Sequence, residues 1–504
     1  MSVIGLDIGT TGCKAILFDS GLRMLASAGR EYPILTPRPN FAEQDAAHVW
    51  DMAIACLQEI LTNASDHPQA LALSVQGEAI IPVDKNGLPM GNAILGMDNR
   101  TTEENLWLTE QFGADNLFRR TGIPAHTMNP ITKLLWIQKN EPATWKSADR
   151  FLLYEDYFLS RLGGEACISP CLASRTQMVD IRTGEWMHDV LDRCRIDAGR
   201  MARIAPVHGG PVSTLRSDIG KALGLRKDVL LISGGHDQAC AALGSGVIKP
   251  GLAMVSTGTA EVIEVAMDTP SLDERLQRAG ISVYRHVVPN LYLAMTLNHS
   301  GGLSLRWFRD TLCRDKLDQA NAQGKDAYEL ILAGSRPGPT DLLILPHFSG
   351  AGTPLLDTTS RAAILGMSFA TTQGDIAKAI LEGLTFEYRA NIDFLKEAGI
   401  PVNELHAVGG GAKSKLWMQL KADIGRVPLR IPKVTEAACL GAAMLASVGA
   451  QVFPDLPSAV RAGVAFNEAV LPDCDKTKQY QGRYDLYKTL YNLLVPLHRQ
   501  ISDR

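Results

Sequence analysis

The sequence predicts an α/β protein of two domains flanking a cleft, and three observations carry that prediction. Residues 3–19, VIGLDIGTTGCKAILFD, run from an apolar stretch through a small-residue turn centred on Gly-Thr into a second β-rich stretch. A shorter echo, LAMVSTGTAEVIE, returns at 252–264. Thr10 and Thr259 stand 249 positions apart in a chain of 504 residues, so the echo marks an internal duplication. Strand-like runs also alternate with helix-length segments along the whole chain, which is the pattern of α/β layering.

Each element follows from local pattern. LALSVQ (71–76), VLLISGG (229–235), LLILPH (342–347) and LHAVGGG (405–411) read as buried strands, being apolar runs stopped by glycine or a polar turn. Segment 373–398 reads as a helix, with Ile376, Ile380, Leu381 and Leu384 at helical spacing. The stretch GSGVIKPG (244–251) holds three glycines and a proline just before the second copy, and divides the chain into domains 1–246 and 247–504. A last helix aligns Tyr480, Tyr484, Tyr487, Leu490, Tyr491 and Leu494 on one face. That stripe is expected to pack on a domain, with a return onto the first domain left open.

Composition narrows the function classes. A chain of 504 residues exceeds a single core. Apolar content of 46% and charged content of 21% describe an ordinary globular protein. A formal charge of −4 offers no basic face for nucleic acid or an acidic membrane. No apolar run reaches the roughly 18 residues of a membrane span, and the N-terminus has no basic leader region. The nine cysteines show no CxxC and no Cys/His zinc spacing. Reduced, mostly buried thiols in a cytoplasmic protein are expected.

Neither a GxxxxGK-Ser/Thr loop nor a complete GxGxxG is present, so nucleotide binding is read from other loops. In DIGTTG (7–12), Asp7 closes a strand, the glycines allow a tight turn, and Thr10, Thr11 and the turn N–H groups suit phosphate oxygens. Lys14 adds a charge, and Asp7 suits a magnesium ion held through water. Taken alone this is a hairpin with a polar turn; the second copy, STGTAE (256–261), gives it weight. In GGHDQA (234–239), Asp237 follows an apolar run and two glycines, at the mouth of a cleft, where it suits a general base beside His236 and Gln238. An Asp there equally suits a helix N-cap, and His236 equally suits a structural role. GGGAKSKLW (409–417) lets a flat base or sugar approach the backbone, and otherwise reads as a tight turn. In SVQGEA (74–79), Gln76 and Glu78 leave the end of a buried strand and suit hydroxyl recognition.

Together these motifs resemble, in order and over essentially the whole chain, the FGGY family of carbohydrate kinases. DIGTTGCKAILFD looks like the family's first phosphate loop, GGHDQA its catalytic-base motif and STGT its second phosphate loop. GGGAKSKLWMQLKADIGRVPL (409–429) is similar to its adenosine-side signature, EAACLGAAMLA (436–446) to the sequel, and ASRT (173–176) fits. The resemblance implies two actin-like, ribonuclease-H-like domains around a catalytic cleft that closes on substrate. It implies ATP and Mg2+ as cofactors, Asp237 as general base and Asp7 as the carboxylate organising the metal. Thr10, Thr11, Lys14 and Thr259 would contact phosphates; Gly410, Gly411 and Ser414 would border adenosine; Gln76, Glu78, Asp237 and Gln238 would face the sugar. Such a base needs no large pKa shift, because the proton can move late.

The chain departs from the family at Gln-Gly-Glu (76–78), where glycerol kinases carry Gln-Arg-Glu and xylulokinases Gln-Met-His. It departs again at Gly96, where the family often has Trp, at Glu155, and at Gly-Ala-Gly (350–352). Overall spacing is most like xylulokinases, so the expected acceptor is a ketopentose such as xylulose, with Glu78 accepting from hydroxyls and repelling an acid sugar. Glycerol, a tetritol, ribulose or a 6-deoxyketose are the alternatives. A nucleotide-dependent regulatory protein and an actin-like phosphohydrolase or chaperone-type ATPase are the competing classes. Family members are often dimers, so a homodimer is a further expectation.

Overall fold

The two Gly-Thr turns sit at matching places in two sheets of matching order. The structure is a computed structural model that describes residues 1–502 apart from 63, 65, 207, 208, 226 and 227. The first sheet is built from β1 (Ser2–Ile8), β2 (Gly12–Asp19), β3 (Met24–Glu31), β4 (Pro68–Val75), β5 (Pro211–Thr214) and β6 (Leu230–His236), in the order β5-β6-β4-β1-β2-β3. The second is built from β7 (Leu252–Thr257), β8 (Glu261–Met267), β9 (Ser282–Arg285), β10 (Tyr292–Asn298), β11 (Glu404–Val408) and β12 (Leu429–Arg430), in the order β9-β10-β8-β7-β11-β12. In each, a strand pairs antiparallel with the next across the Gly-Thr turn, β1 with β2 and β7 with β8. On its other side it pairs parallel with a later strand, β4 or β11. The duplication seen in sequence is therefore a duplicated ribonuclease-H-like topology.

The parallel strands β1, β4 and β6 are covered on both faces, so their sequences are continuous apolar runs rather than alternating ones. Because they run the same way, their carboxyl ends lie together, and these ends carry Asp7, Gln76 and Asp237. This is where a ligand cleft opens in a sheet of this kind.

Helices α1 (Ala46–Thr62), α2 (Tyr154–Gly163), α3 (Pro170–Ser174) and α4 (Asp237–Gly244) belong to the first half. Helices α5 (Gln373–Glu397), α6 (Lys415–Gly425), α7 (Ala437–Gly449) and α8 (Cys474–Ser502) belong to the second. The expected helix at 373–398 is α5, opened by a capping box in which Thr372 and Asp375 satisfy each other's backbone N–H groups.

The return onto the first domain that was left open for the last helix is made by a different one. Helix α8 lies on α5, α6 and the strand Leu343–Leu345, with Tyr480, Tyr484 and Tyr487 around the Phe386 ring. Helix α7 instead packs on β1, β4, β6 and α4 of the first half. Its small residues permit this: a Cβ at Gly441 would meet Cys240 O at 1.9 Å, and one at Gly244 would meet Ala437 O at the same distance. The hydrophobic stripe of α8 finds its partners within its own half, whereas α7, rich in alanine and glycine, can approach a foreign backbone closely. A core of residues from both halves, including Ile16, Leu243, Met254, Tyr284 and Leu440, joins the two sheets. All nine cysteines are free, and eight of them are buried. No helix among the described residues is long and apolar enough to cross a membrane.

Candidate active site

The first turn is held by its carbonyls. Gly9 O accepts from the Tyr32 hydroxyl at 2.8 Å and from Gln76 Nε2 at 3.3 Å. Thr10 O accepts from Gln44 Nε2 at 2.8 Å, and Thr11 O from the Tyr32 N–H at 3.1 Å. Gln44 Oε1 in turn takes protons from Gln76 Nε2 and the Tyr154 hydroxyl. With its carbonyls tied from behind, the turn leaves the exposed Thr11 and half-buried Thr10 at the cleft. Ser74 Oγ donates to Asp7 Oδ1 at 2.6 Å. Burial pushes the Asp7 carboxyl up to about 6, with Ser74 opposing the shift and Glu436 adding to it. Lys14 reaches across to Glu436 at the start of α7, with Nζ 2.8 Å from Oε1.

The second turn is braced by backbone. Gly258 N donates to Ala260 O, and Gly302 N donates to Gly258 O. Thr259 is exposed at its tip. Beneath it, Thr257 Oγ1 donates to Glu261 Oε2, and the fully buried Lys421 pairs with the same oxygen. The glycine loop after β11 forms a short 3-10 turn, Gly410–Lys413, with Gly410 exposed and Gly411 partly so. The Ser414 hydroxyl accepts from Trp417 N and caps α6, so its local role is structural.

Asp237 is the first residue of α4, and its Oδ1 accepts from Gln238 N at 2.6 Å. It is not the N-cap, a place taken by His236 without a side-chain capping bond, and it keeps 25% of its side chain exposed. Burial pushes its pKa up to about 8, with Asp7, Glu78 and Glu264 adding like charge and the Gln238 N–H opposing. The role of a base does not require a large shift, but burial first, and then the charges of Asp7, Glu78 and Glu264, give Asp237 one. Gln238 Oε1 is buried and takes no hydrogen bond from the described residues. Glu155, a departure in the sequence, is also buried and accepts from Gly234 N and Ser169, bracing the strand that carries Asp237.

Glu78 lies in the bend three residues past β4 with φ +59°, and it is buried. Its Oε1 is taken by Arg175, from Nε at 2.6 Å and from Nη2 at 2.5 Å. Burial alone would raise this carboxyl; the Arg175 charge and hydrogen bond, then Lys133, hold it below its usual value. Lys133 donates to the Glu78 backbone carbonyl. Gly96 leaves the space beside the other carboxylate oxygen, since a Cβ there would lie 3.3 Å from Glu78 Oε2. Gln76 and Glu78 thus stand near one another, but Gln76 spends its amide on the first turn.

Sequence reasoning did not single out Tyr32, Gln44, Arg175, Lys133, Glu264 or Glu436 as site residues. Arg175 carried a signal as a lone charge inside the small-residue run ASRT, and Glu436 opened the run EAACLGAAMLA. The others act through contacts far apart in sequence.

Two family models account for this layout: the N-terminal domain of FGGY carbohydrate kinases matches residues 2–244, and the C-terminal domain residues 253–450. The chain belongs to the FGGY family of carbohydrate kinases and is an ATP-dependent sugar phosphotransferase. It is similar to a xylulose kinase of Staphylococcus epidermidis, 30% identical, over 97% of this chain and 96% of the relative. It is also similar to a gluconokinase of Bacillus subtilis, 26% identical, over 99% of this chain and 98% of the relative. The crystal structure of xylulose kinase from Rhodospirillum rubrum superimposes with a TM-score of 0.89 at 27% identity, covering 99% of this chain and 100% of that one.

Proposed function

We propose that the enzyme transfers the γ-phosphoryl group of ATP to a hydroxyl of a small neutral sugar, a ketopentose such as xylulose being the first candidate. The observation that carries this reading is Asp237, a carboxyl with raised proton affinity at the carboxyl end of a parallel strand and partly open to the cleft. Asp237 takes the proton of the attacking hydroxyl. The freed oxygen bonds to the γ-phosphorus while the bond to the β-phosphate oxygen breaks, releasing ADP. Thr10, Thr11, Lys14 and Thr259 serve the phosphates, and Gly410, Gly411 and Ser414 border the adenosine.

Asp7 is a hard oxygen donor with one oxygen held by Ser74, which fits a magnesium ion that keeps its water and binds chiefly to phosphates. No group of three or more His, Cys, Asp or Glu among the described residues is placed to hold a metal by itself. Bound Mg2+ would neutralise charge on the transferring phosphoryl group.

For the acceptor, Glu78 supports a neutral substrate. Its Oε1 is fixed by Arg175, and Oε2 faces the room left by Gly96, so it suits donation from a hydroxyl and disfavours a carboxylate. The full-length likeness to a protein named xylulose kinase supports the ketopentose.

The test is a coupled ADP-release assay with Mg-ATP against ketopentoses, 6-deoxyketoses, polyols and aldonates. A neutral sugar is the expected strong responder; an aldonate as the sole responder overturns the neutral reading. Asp237→Asn is expected to retain ATP binding and to lose roughly 10²–10⁴-fold in kcat, the range for a general base. In the unaltered enzyme kcat/KM rises with pH up to about 8, since the base acts in its ionised form.

A further inference from the structure

Four side chains run in a row from the second sheet to the floor of the cleft. Tyr284 on β9 donates its hydroxyl proton to Glu264 Oε1 on β8. The same Tyr284 oxygen lies 3.3 Å from His236 Nδ1 at the end of β6. His236 Nε2 lies 3.2 Å from Asp237 Oδ1. The His236 and Tyr284 rings meet edge to face, with centroids 5.6 Å apart. Glu264, Tyr284 and His236 are all buried, so solvent offers no alternative partner.

We propose that Glu264 and Tyr284 are positioning residues for the base: they fix the tautomer of His236 and through it the proton affinity of Asp237. The inference rests on Asp237 being the base. Its logic is the direction of each proton. Tyr284 has one proton and gives it to the Glu264 carboxylate, so toward His236 its oxygen accepts. His236 Nδ1 then carries the imidazole proton, and Nε2 holds only a lone pair, 3.2 Å from Asp237 Oδ1. Assigned in this way from the hydrogen-bond network, the lone pair gives an ionised Asp237 nothing to accept. Once Asp237 has taken the substrate hydroxyl proton, an O–H···Nε2 bond forms. The row thus stabilises the product of the proton transfer rather than its reactant. No proton travels further along it; Asp237 returns its proton to solvent through its exposed edge after ADP leaves.

The surrounding charges agree with this reading. Burial, helped by Arg175 and opposed by Glu78, lowers His236 to about 3 and keeps it neutral. Burial raises Glu264 to about 7, with the Tyr284 hydrogen bond and Arg175 opposing. Around Tyr284 stand Glu264, Arg175 and the Cys171 thiol; around Asp237 stand Asp7, Glu78 and Glu264. A protonated Glu264 would reverse the row. It would donate to Tyr284, Tyr284 would donate to Nδ1, and Nε2–H would donate to the Asp237 carboxylate, making it a weaker base.

The decisive measurement is 15N NMR of the histidine-labelled full-length enzyme at pH 8, with the His236 signal identified by its loss in His236→Asn. An Nδ1–H tautomer is expected; an Nε2–H tautomer overturns the proposal without any variant of the row. Tyr284→Phe removes the acceptor. It is expected to release the tautomer and to move the acid limb of the kcat/KM profile down by about one pH unit or more, with KM for ATP unchanged. A merely structural tyrosine would lower the unfolding midpoint and leave that limb where it was, which counts against the proposal. Asp237→Asn separates the two readings. Retained turnover there would fell the base assignment and this inference together, whereas lost turnover with an Nε2–H tautomer would fell the inference alone.

Discussion

The two Gly-Thr turns share a strand pairing and a three-residue span, yet they treat charge in opposite ways. In the first, the acid precedes the turn, and Asp7 has a hydroxyl partner but no cation in contact among the described residues. In the second, Ser256 occupies the place equivalent to Asp7, and the acid follows the turn as Glu261, sealed against Lys421. The bracing differs as well. Side chains from outside the hairpin, Tyr32, Gln44 and Gln76, tie the first turn, whereas backbone from Gly302 ties the second. Duplication supplied the same bend twice; the placement of one carboxylate separates the wall proposed to organise a metal from the wall proposed only to position phosphate.

That contrast can be broken first at the buried pair. Lys421 is fully buried, so Lys421→Met leaves Glu261 charged, enclosed and unpaired. A loss of about 3–5 kcal/mol in urea unfolding is expected, mostly recovered when Glu261→Gln is added. A loss of under about 1 kcal/mol would show that the second acid is not neutralised by its lysine at all.

Asp7→Asn is expected to act in the other direction on stability and far more on rate. The Asp7 carboxyl is raised to about 6 from an ordinary 3.8, so burial favours its neutral form. The stability that this gives is complete below pH 4 and is lost as pH rises through about 6. Replacing it with the neutral amide therefore leaves the unfolding midpoint at pH 8 unchanged or higher. Turnover should fall by about 10²–10³-fold, as for loss of one charge-stabilising group in a reacting centre. A variant both less stable and fully active would reverse the roles assigned to the two acids.

Much of this was readable from sequence because it is local. The apolar runs ending in glycine fixed β4, β6 and β11, the spacing of Ile376 to Leu384 fixed α5, and the echo fixed both hairpins. The candidate site was legible where one segment carries both the bend and the functional group, as in DIGTTG and GGHDQA. It was not legible where a charge meets its partner across the fold. Nothing near Lys14 announces Glu436, nothing near Glu78 announces Arg175, and Glu264 reads as one polar residue in a strand. The raised pKa of Asp237 was not legible for the same reason, since burial, its largest cause, and the charges of Asp7, Glu78 and Glu264 arise only in the assembled fold. Helix α7 shows the complementary failure: alanine and glycine reveal that a backbone comes close, but not whose backbone it is.

The gentlest test asks whether the two turns share the work of holding phosphate. Thr10 and Thr259 occupy equivalent places, 249 positions apart, and both stand at the tip of a braced bend. Each hydroxyl should contribute about 1 kcal/mol as one hydrogen bond to the nucleotide. Thr10→Ala and Thr259→Ala are therefore each expected to raise KM for ATP by roughly fivefold, with unfolding midpoints unchanged. Because they serve different walls of the cleft, the double variant should show the product of the two effects. If only Thr10→Ala raised KM, the second turn would be a retained copy that shapes the wall without touching the nucleotide. If the double variant were no worse than either single one, the two hydroxyls would depend on each other, as they would if phosphate engages both only when the cleft is closed.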